Sequence, residues 1–298
     1  GVQNTLVGRS AGDSLTTGSS NVAVGYEALA TDDLGSFNTA LGYQALETLN
    51  YATATDAYNV AVGMNTGHQM TVGIQNTLLG AFAGDALTDA DYNVAIGTSA
   101  LTADQLGSKS VAIGHAALAA QNPNTAADMF NVAIGEAAGS AVTTGSSITL
   151  VGALAGDAIT TGLYNTAVGK GALTTEIDGD YSTAIGYLAL EDQESDSAGQ
   201  NVYNTAVGAL AGNDLTTGVE NTLIGAGAGG TGVLTADKNT AVGAWALYSL
   251  AGGAHNTAVG ANCADSMTSG TRNTVMGYQA HDACTIGRYN VAMGYDAL

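Results

Sequence analysis

Apolar and polar positions along this chain follow a five-residue phrase, Asn-Thr-Ala-Val-Gly and close variants, that recurs 17 times. It begins at Asn4, Asn21, Asn38, Asn59, Asn76, Asn93, Ser110, Asn131, Ile148, Asn165, Ser182, Asn204, Asn221, Asn239, Asn256, Asn273 and Asn290, mostly at 17-residue intervals. Counting each copy from that first residue, position 5 is always glycine, position 4 always Val, Leu, Ile or Met, and position 2 always Thr or Val. Side chains alternate across a strand with a period of two, so positions 2 and 4 share a face. The aliphatic residues at position 4 predict that this face is the dry interior, and β-branched residues at position 2 suit the same pleated surface. Positions 1 to 4 thus predict a short strand that the glycine ends at a bend. Position 8 is alanine in 15 copies, usually followed by leucine, which predicts a second inward segment before turns such as Thr16-Thr17-Gly18. Two strands and two bends close one coil. Frequent glycines and β-branched residues at fixed sites defeat a helical reading.

A period this short, sustained throughout, predicts an all-β, parallel β-solenoid of about 17 coils, forming a single repeat domain over residues 1–298. Coils stacked ~4.8 Å apart predict a rod on the order of 80 Å long. The position-1 asparagines, Asn4, Asn21, Asn38, Asn59, Asn76, Asn93, Asn131, Asn165, Asn204, Asn221, Asn239, Asn256, Asn273 and Asn290, predict a structural ladder. Their amides can hydrogen-bond up the stack or hold a strained turn. Position 3 falls on the face expected to point outward, yet it is always Ala, Leu or Val. A strand apolar on both faces is usually buried on both. Position 3 is therefore expected to meet another chain, with Leu6, Leu78, Leu150 and Leu223 as the contact residues. A monomer with an exposed alanine-rich side is the alternative. The leucines return every fourth coil, and the longer coils begin at Asn38, Ser110 and Ser182, 72 residues apart. Their extra residues predict protruding loops at 50–57, 121–128 and 191–200, where repeat proteins commonly place interaction surfaces.

Composition adds exclusions. Six basic residues stand against 26 acidic ones, a net charge of -20, which disfavours nucleic acid and anionic membranes as partners. No run of 18 apolar residues suggests membrane insertion of this segment. The chain opens at Gly1 and closes at Leu298 inside copies of the repeat, and is read as an excerpt of a longer fibre. Chemistry is sparse. His281-Asp282-Ala283-Cys284 alone groups nucleophile-like and base-like side chains, but its members point different ways on a strand or turn, so no catalytic residue is expected. The run Gly225–Gly232 mimics a phosphate loop without its lysine. Asp89 to Asp91, Glu176 to Asp180 and Glu191 to Asp196 are acidic segments that could hold Ca²⁺, yet none matches a calcium-binding loop, and no cofactor is expected. Aromatic residues precede the phrase (Phe37, Tyr58, Tyr92, Phe130, Tyr164, Tyr181, Tyr203, Tyr289) or follow its glycine (Tyr26, Tyr43, Tyr187, Tyr278, Tyr295). They suit ring stacking along the coils or, as an alternative, a sugar-binding stripe.

Ser110-Val111-Ala112-Ile113-Gly114, followed by His115-Ala116-Ala117, resembles the YadA-like head repeat of trimeric autotransporter adhesins; the phrases at Asn93 and Asn131 match almost as well. The wording Asn-Thr-Ala-Val-Gly-x-x-Ala-Leu is also similar to repeats in bacteriophage long tail fibres. The resemblance spans the chain, although the adhesin repeat is shorter than the 17-residue coil here. It implies a left-handed parallel β-roll packed as a homotrimer. The function expected from it is a structural, non-enzymatic segment of an adhesive appendage: the shaft or head of a bacteriophage tail fibre. A bacterial cell-surface adhesin or a secreted extracellular β-solenoid filament is the alternative. Either is extracellular, on a virion or a cell surface, with further copies of the chain and a cell-surface receptor or glycan as partners. An ice-binding protein is set aside, because it needs ordered outward threonines and position 2 is expected to face inward.

Overall fold

The computed structural model describes residues 1–230, 235–282 and 285–297, in two compact units, Gly1–Ser147 and Ile148–Leu298. The described residues are all-β, without helix, and form a parallel β-solenoid of about 17 turns. Each coil contributes one three-residue strand at positions 2 to 4, eight in the first unit (Thr5–Val7 to Val132–Ile134) and nine in the second (Thr149–Val151 to Val291–Met293). Within each unit consecutive strands pair in parallel, phrase upon phrase, as in Val22↔Thr39 and Thr166↔Thr183. The long coils add minor pairs at their flank, Gly35–Ser36 with Thr55–Asp56 and Gly107–Ser108 with Ala127–Asp128.

The expected second strand does not form. Positions 6 to 11 are a succession of turns in which positions 7 and 9 adopt left-handed backbone, for example Glu27 at φ 53° and Leu29 at φ 51°. This alternation lets neighbouring side chains point the same way, which a flat strand forbids. Ala28 and Leu29 are both fully buried. Backbone bonds still tie these turns to the next coil, as in Leu29 N–H to Ala45 O at 3.0 Å.

The two faces of the strand are the reverse of the sequence-based expectation. Position 3 points into the coil: Leu78 and Leu150 are fully buried and Leu223 is 3% exposed. These three leucines, expected on a chain–chain contact, lie inside their own chain. Leu6, in the first coil, is 42% exposed, but its δ carbons approach Gly12 across the same interior. Positions 2 and 4 point outward; Leu41, Leu79 and Met276 at position 4 are 43–48% exposed. Interior space explains the reversal. Most coils pair alanine at position 3 with leucine at position 9, or leucine with glycine. Gly84 and Gly156 each face the position-3 leucine of their own coil, and a Cβ on either would lie 3.0 and 2.7 Å from Leu78 and Leu150. Gly67 is pinched between Leu46 and Leu78, each 2.9 Å from where its Cβ would be. Large and small residues therefore interlock, and the four-coil period is a packing pattern.

Asparagines share the inward face with position 3. Most accept the backbone N–H of the position-1 residue one coil on, as Asn21 Oδ1 does from Asn38 N at 2.8 Å. Most also donate across their own coil, as Asn21 Nδ2 does to Gly35 O at 2.8 Å. A buried amide with both ends bonded is stable in this interior. The position-5 glycines form a further column. Gly114 sits at φ 134°, and an added Cβ would lie 2.3 Å from the carbonyl oxygen of Gly135 in the next coil.

Candidate functional surface

In each unit the outward face of the sheet repeats from strand to strand. In the first unit, position 2 mixes threonine and valine: Thr5, Val22, Thr39, Val60, Thr77, Val94, Val111 and Val132. In the second it is threonine in eight successive strands, Thr149, Thr166, Thr183, Thr205, Thr222, Thr240, Thr257 and Thr274, each paired in register with the next. Beside them runs an aliphatic column, Val151, Val168, Ile185, Val207, Ile224, Val242, Val259 and Met276. None of the residues in the three-residue strands is charged. Nine strands ~4.8 Å apart and ~10 Å long give this face on the order of 400 Å², as large as apolar patches that mark interaction sites.

Aromatic columns border it. Tyr164, Tyr181 and Tyr203 stack with centroids 4.9 and 5.2 Å apart, and Phe37 stacks on Tyr58 at 5.0 Å. Tyr26 stacks on Tyr43 at 5.2 Å, with the Arg9 guanidinium 5.5 Å from the Tyr26 ring. Ring faces turned on one another support neighbouring coils. A sugar would need those same faces, so the stacks favour the structural role.

The long loops begin beside acidic groups. An open groove of about 460 Å³ is lined by Asp89, Asp91, Ser108, Ala126, Ala127 and Asp128. Two of its three carboxylates already have partners: Asp91 Oδ1 accepts Ile74 N at 2.8 Å, and Lys109 Nζ lies 2.6 Å from Asp128. Asp180 Oδ1 likewise accepts Leu163 N at 2.7 Å. Glu176, expected in a solvated acidic segment, is instead fully buried, as are Asp32 and Asp104. Burial holds the Asp32 carboxyl above its ordinary value and raises that of Asp104 to about 6.

The remaining candidates are separated by the fold. His281 occupies inward position 9, is 2% exposed, and has neither ring nitrogen hydrogen-bonded; burial lowers its pKa. Asp282 is half-buried beside it and pairs with Asp265, whose carboxyl rises to about 6 through burial and then the hydrogen bond with Asp282. Ala283 and Cys284 lie outside the described residues. Cys263 replaces an inward alanine, and burial pushes its thiol up to about 11, which keeps it protonated at neutral pH. In the glycine-rich run, Gly225 continues the position-5 column, and Gly227 makes room for Trp245, whose ring lies 2.5 Å from where a Cβ would be. Residues 231 and 232 of that run lie outside the described residues.

Two features escaped the sequence reading: the outward threonine column and the buried acids. The first had a signal, because leucine at position 3 is accompanied by glycine at position 9 in Leu6/Gly12, Leu78/Gly84, Leu150/Gly156 and Leu223/Gly229. That pairing makes sense only if both positions face one interior. Among the described residues, the fold and its surface define a repetitive parallel β-solenoid with an uncharged, half-apolar sheet face. No protein-family model matches the chain, and no curated protein matches it.

Proposed function

We propose that this chain is a structural, non-enzymatic segment of an adhesive fibre, a bacteriophage tail fibre in the first instance, whose copies pack together through the outward sheet face. A bacterial surface adhesin or secreted filament remains the alternative. The observation that carries the proposal is the uncharged column of positions 2 and 4 within each unit, because aliphatic side chains in such a row gain by leaving water. The earlier reason for expecting a second chain survives with different residues: the contact passes to positions such as Ile113, Ile134, Ile185 and Ile224. Three copies are expected from the resemblance to trimeric repeats. Native mass spectrometry should give three times the 29.4 kDa chain mass. Ile113→Lys with Ile185→Lys should shift the population to monomer while the far-ultraviolet spectrum is retained. A wild-type chain that is monomeric at micromolar concentration defeats the packing proposal.

The threonine column favours one further reading. Its hydroxyls make no side-chain hydrogen bond within the described residues, and a dry partner would leave such groups unsatisfied. A flat, rigid row of hydroxyls and methyls repeating every ~4.8 Å suits ordered water at an ice surface. The ground for setting ice binding aside is removed, because position 2 faces out. Thermal hysteresis by a monomer, abolished in Thr205→Lys with Thr222→Lys, would establish this reading over the fibre.

A further inference from the structure

Position 12 of the coil also faces inward, and in most coils it is apolar: Leu87, Val142, Ile159 and Leu250. In the second, sixth and tenth coils it is an acid, Asp32, Asp104 and Glu176, at 72-residue spacing. All three are fully buried, and none belongs to an ion pair among the described residues. An unneutralised buried carboxylate is destabilising compared with a leucine of similar volume, so core packing does not explain its recurrence.

Its partners do. One oxygen accepts the N–H of the glycine three residues on: Gly35 to Asp32 at 2.9 Å, Gly107 to Asp104 at 2.7 Å and Gly179 to Glu176 at 2.7 Å. In two blocks the other oxygen reaches up to the next coil, which is always a long one. Gln121 Nε2 donates to Asp104 Oδ2 at 2.5 Å, and Gln193 Nε2 to Glu176 Oε2 at 2.9 Å. The same glutamine nitrogens donate to Ser110 Oγ at 3.1 Å and Ser182 Oγ at 2.8 Å, the two serines that interrupt the asparagine ladder. The glutamine oxygens accept from the asparagine of the following coil, Asn131 at 2.8 Å and Asn204 at 2.9 Å. Each glutamine thus joins three coils at the residue where the long loop departs. Ser195, inside a loop, donates its own N–H to Glu176 at 3.3 Å. In the first block Tyr51 stands at the loop root instead, donating to Gly73 O at 2.6 Å and accepting from Asn59 at 3.0 Å.

We propose that the buried acid and the glutamine above it form a latch that fixes the root, and hence the pose, of each long loop in the sixth-to-eighth and tenth-to-twelfth coils. The idea is independent of what the fibre binds. Near-identical coils offer many apolar sockets, but only this one satisfies a glutamine, so the latch also marks which coil carries the loop. Hydrogen exchange of the chain tests it. Asp104→Leu combined with Gln121→Leu fills the socket with apolar groups and should speed exchange of the 122–128 amides about tenfold, leaving the Val111–Ile113 strand amides unchanged. Asp104→Glu should preserve loop protection, since Glu176 occupies the equivalent socket. If the double variant does not fold, Asp104→Asn, which leaves one donor facing an amide nitrogen, should speed the same loop amides. Unchanged loop exchange in the folded variants, or equal acceleration of loop and strand, overturns the latch.

Discussion

Gly114→Ala is expected to lower stability by roughly 3 kcal/mol or more. Two causes add. The backbone at φ 134° is a conformation that side chains with a Cβ rarely adopt, and the new carbon would lie 2.3 Å from Gly135 O. That oxygen belongs to the next glycine of the column, so neither side can yield without moving a strand. Gly252→Ala is the matched control, because its Cβ would meet nothing within 4 Å. Its effect should stay within about 0.5 kcal/mol. Urea-denaturation midpoints of the two variants and the wild type decide the matter. Equal midpoints would show that the column is not sterically obligatory.

Acidification is expected to stabilise the first unit through Asp104. Burial raises its carboxyl from 3.8 to about 6, so the folded chain holds the proton to higher pH than the unfolded chain does. The contribution is fully present below the unfolded value of 3.8 and is lost as pH rises through about 6. About two pH units of difference correspond to roughly 3 kcal/mol. Asp104→Asn cannot take up that proton. The gap between wild type and variant should therefore change by about this amount between pH 4 and 7, with wild type gaining on the acid side. Parallel pH profiles would mean that the carboxylate is better solvated than its burial implies. The difference between the two proteins matters here, since Asp265 also titrates near 6 and contributes equally to both.

The period, a short strand within positions 1 to 4, the glycine bend and the four-coil superperiod were all legible in the sequence, because each depends on residue type at a fixed spacing. The choice of face was not. Positions 2 and 4 are the more hydrophobic pair, and hydrophobicity alone assigns them to the interior. What decides is volume, which periodicity does not measure: the interior admits Ala40 beside Leu46, or Leu78 beside Gly84, and is completed by amides such as Asn76 that bond to one another. The return segment was misread for a related reason. Ala28-Leu29 looks like part of a strand, but left-handed backbone at a leucine has no sequence signature, and it turns both residues inward. Glu176 was hidden among Asp178 and Asp180, where an acidic run reads as a solvated loop. Its 72-residue spacing from Asp104 was the available clue.

The interlocking of leucine and glycine in the core also limits how such a chain can change length. Gly67 lies between Leu46 and Leu78 because the coils on either side bring bulk toward it from opposite positions. Excising the Gly67 coil would press those leucines together, while repeating it would stack glycine on glycine and leave a void. Gly212 sits in the same way between Leu190 and Leu223. Removing or adding a whole four-coil block restores every neighbour. Lengthening or shortening by a block of the kind seen in the first twelve coils thus proceeds in quanta of about 72 residues and carries one long loop with it, whereas the last four coils, from Asn221, have none.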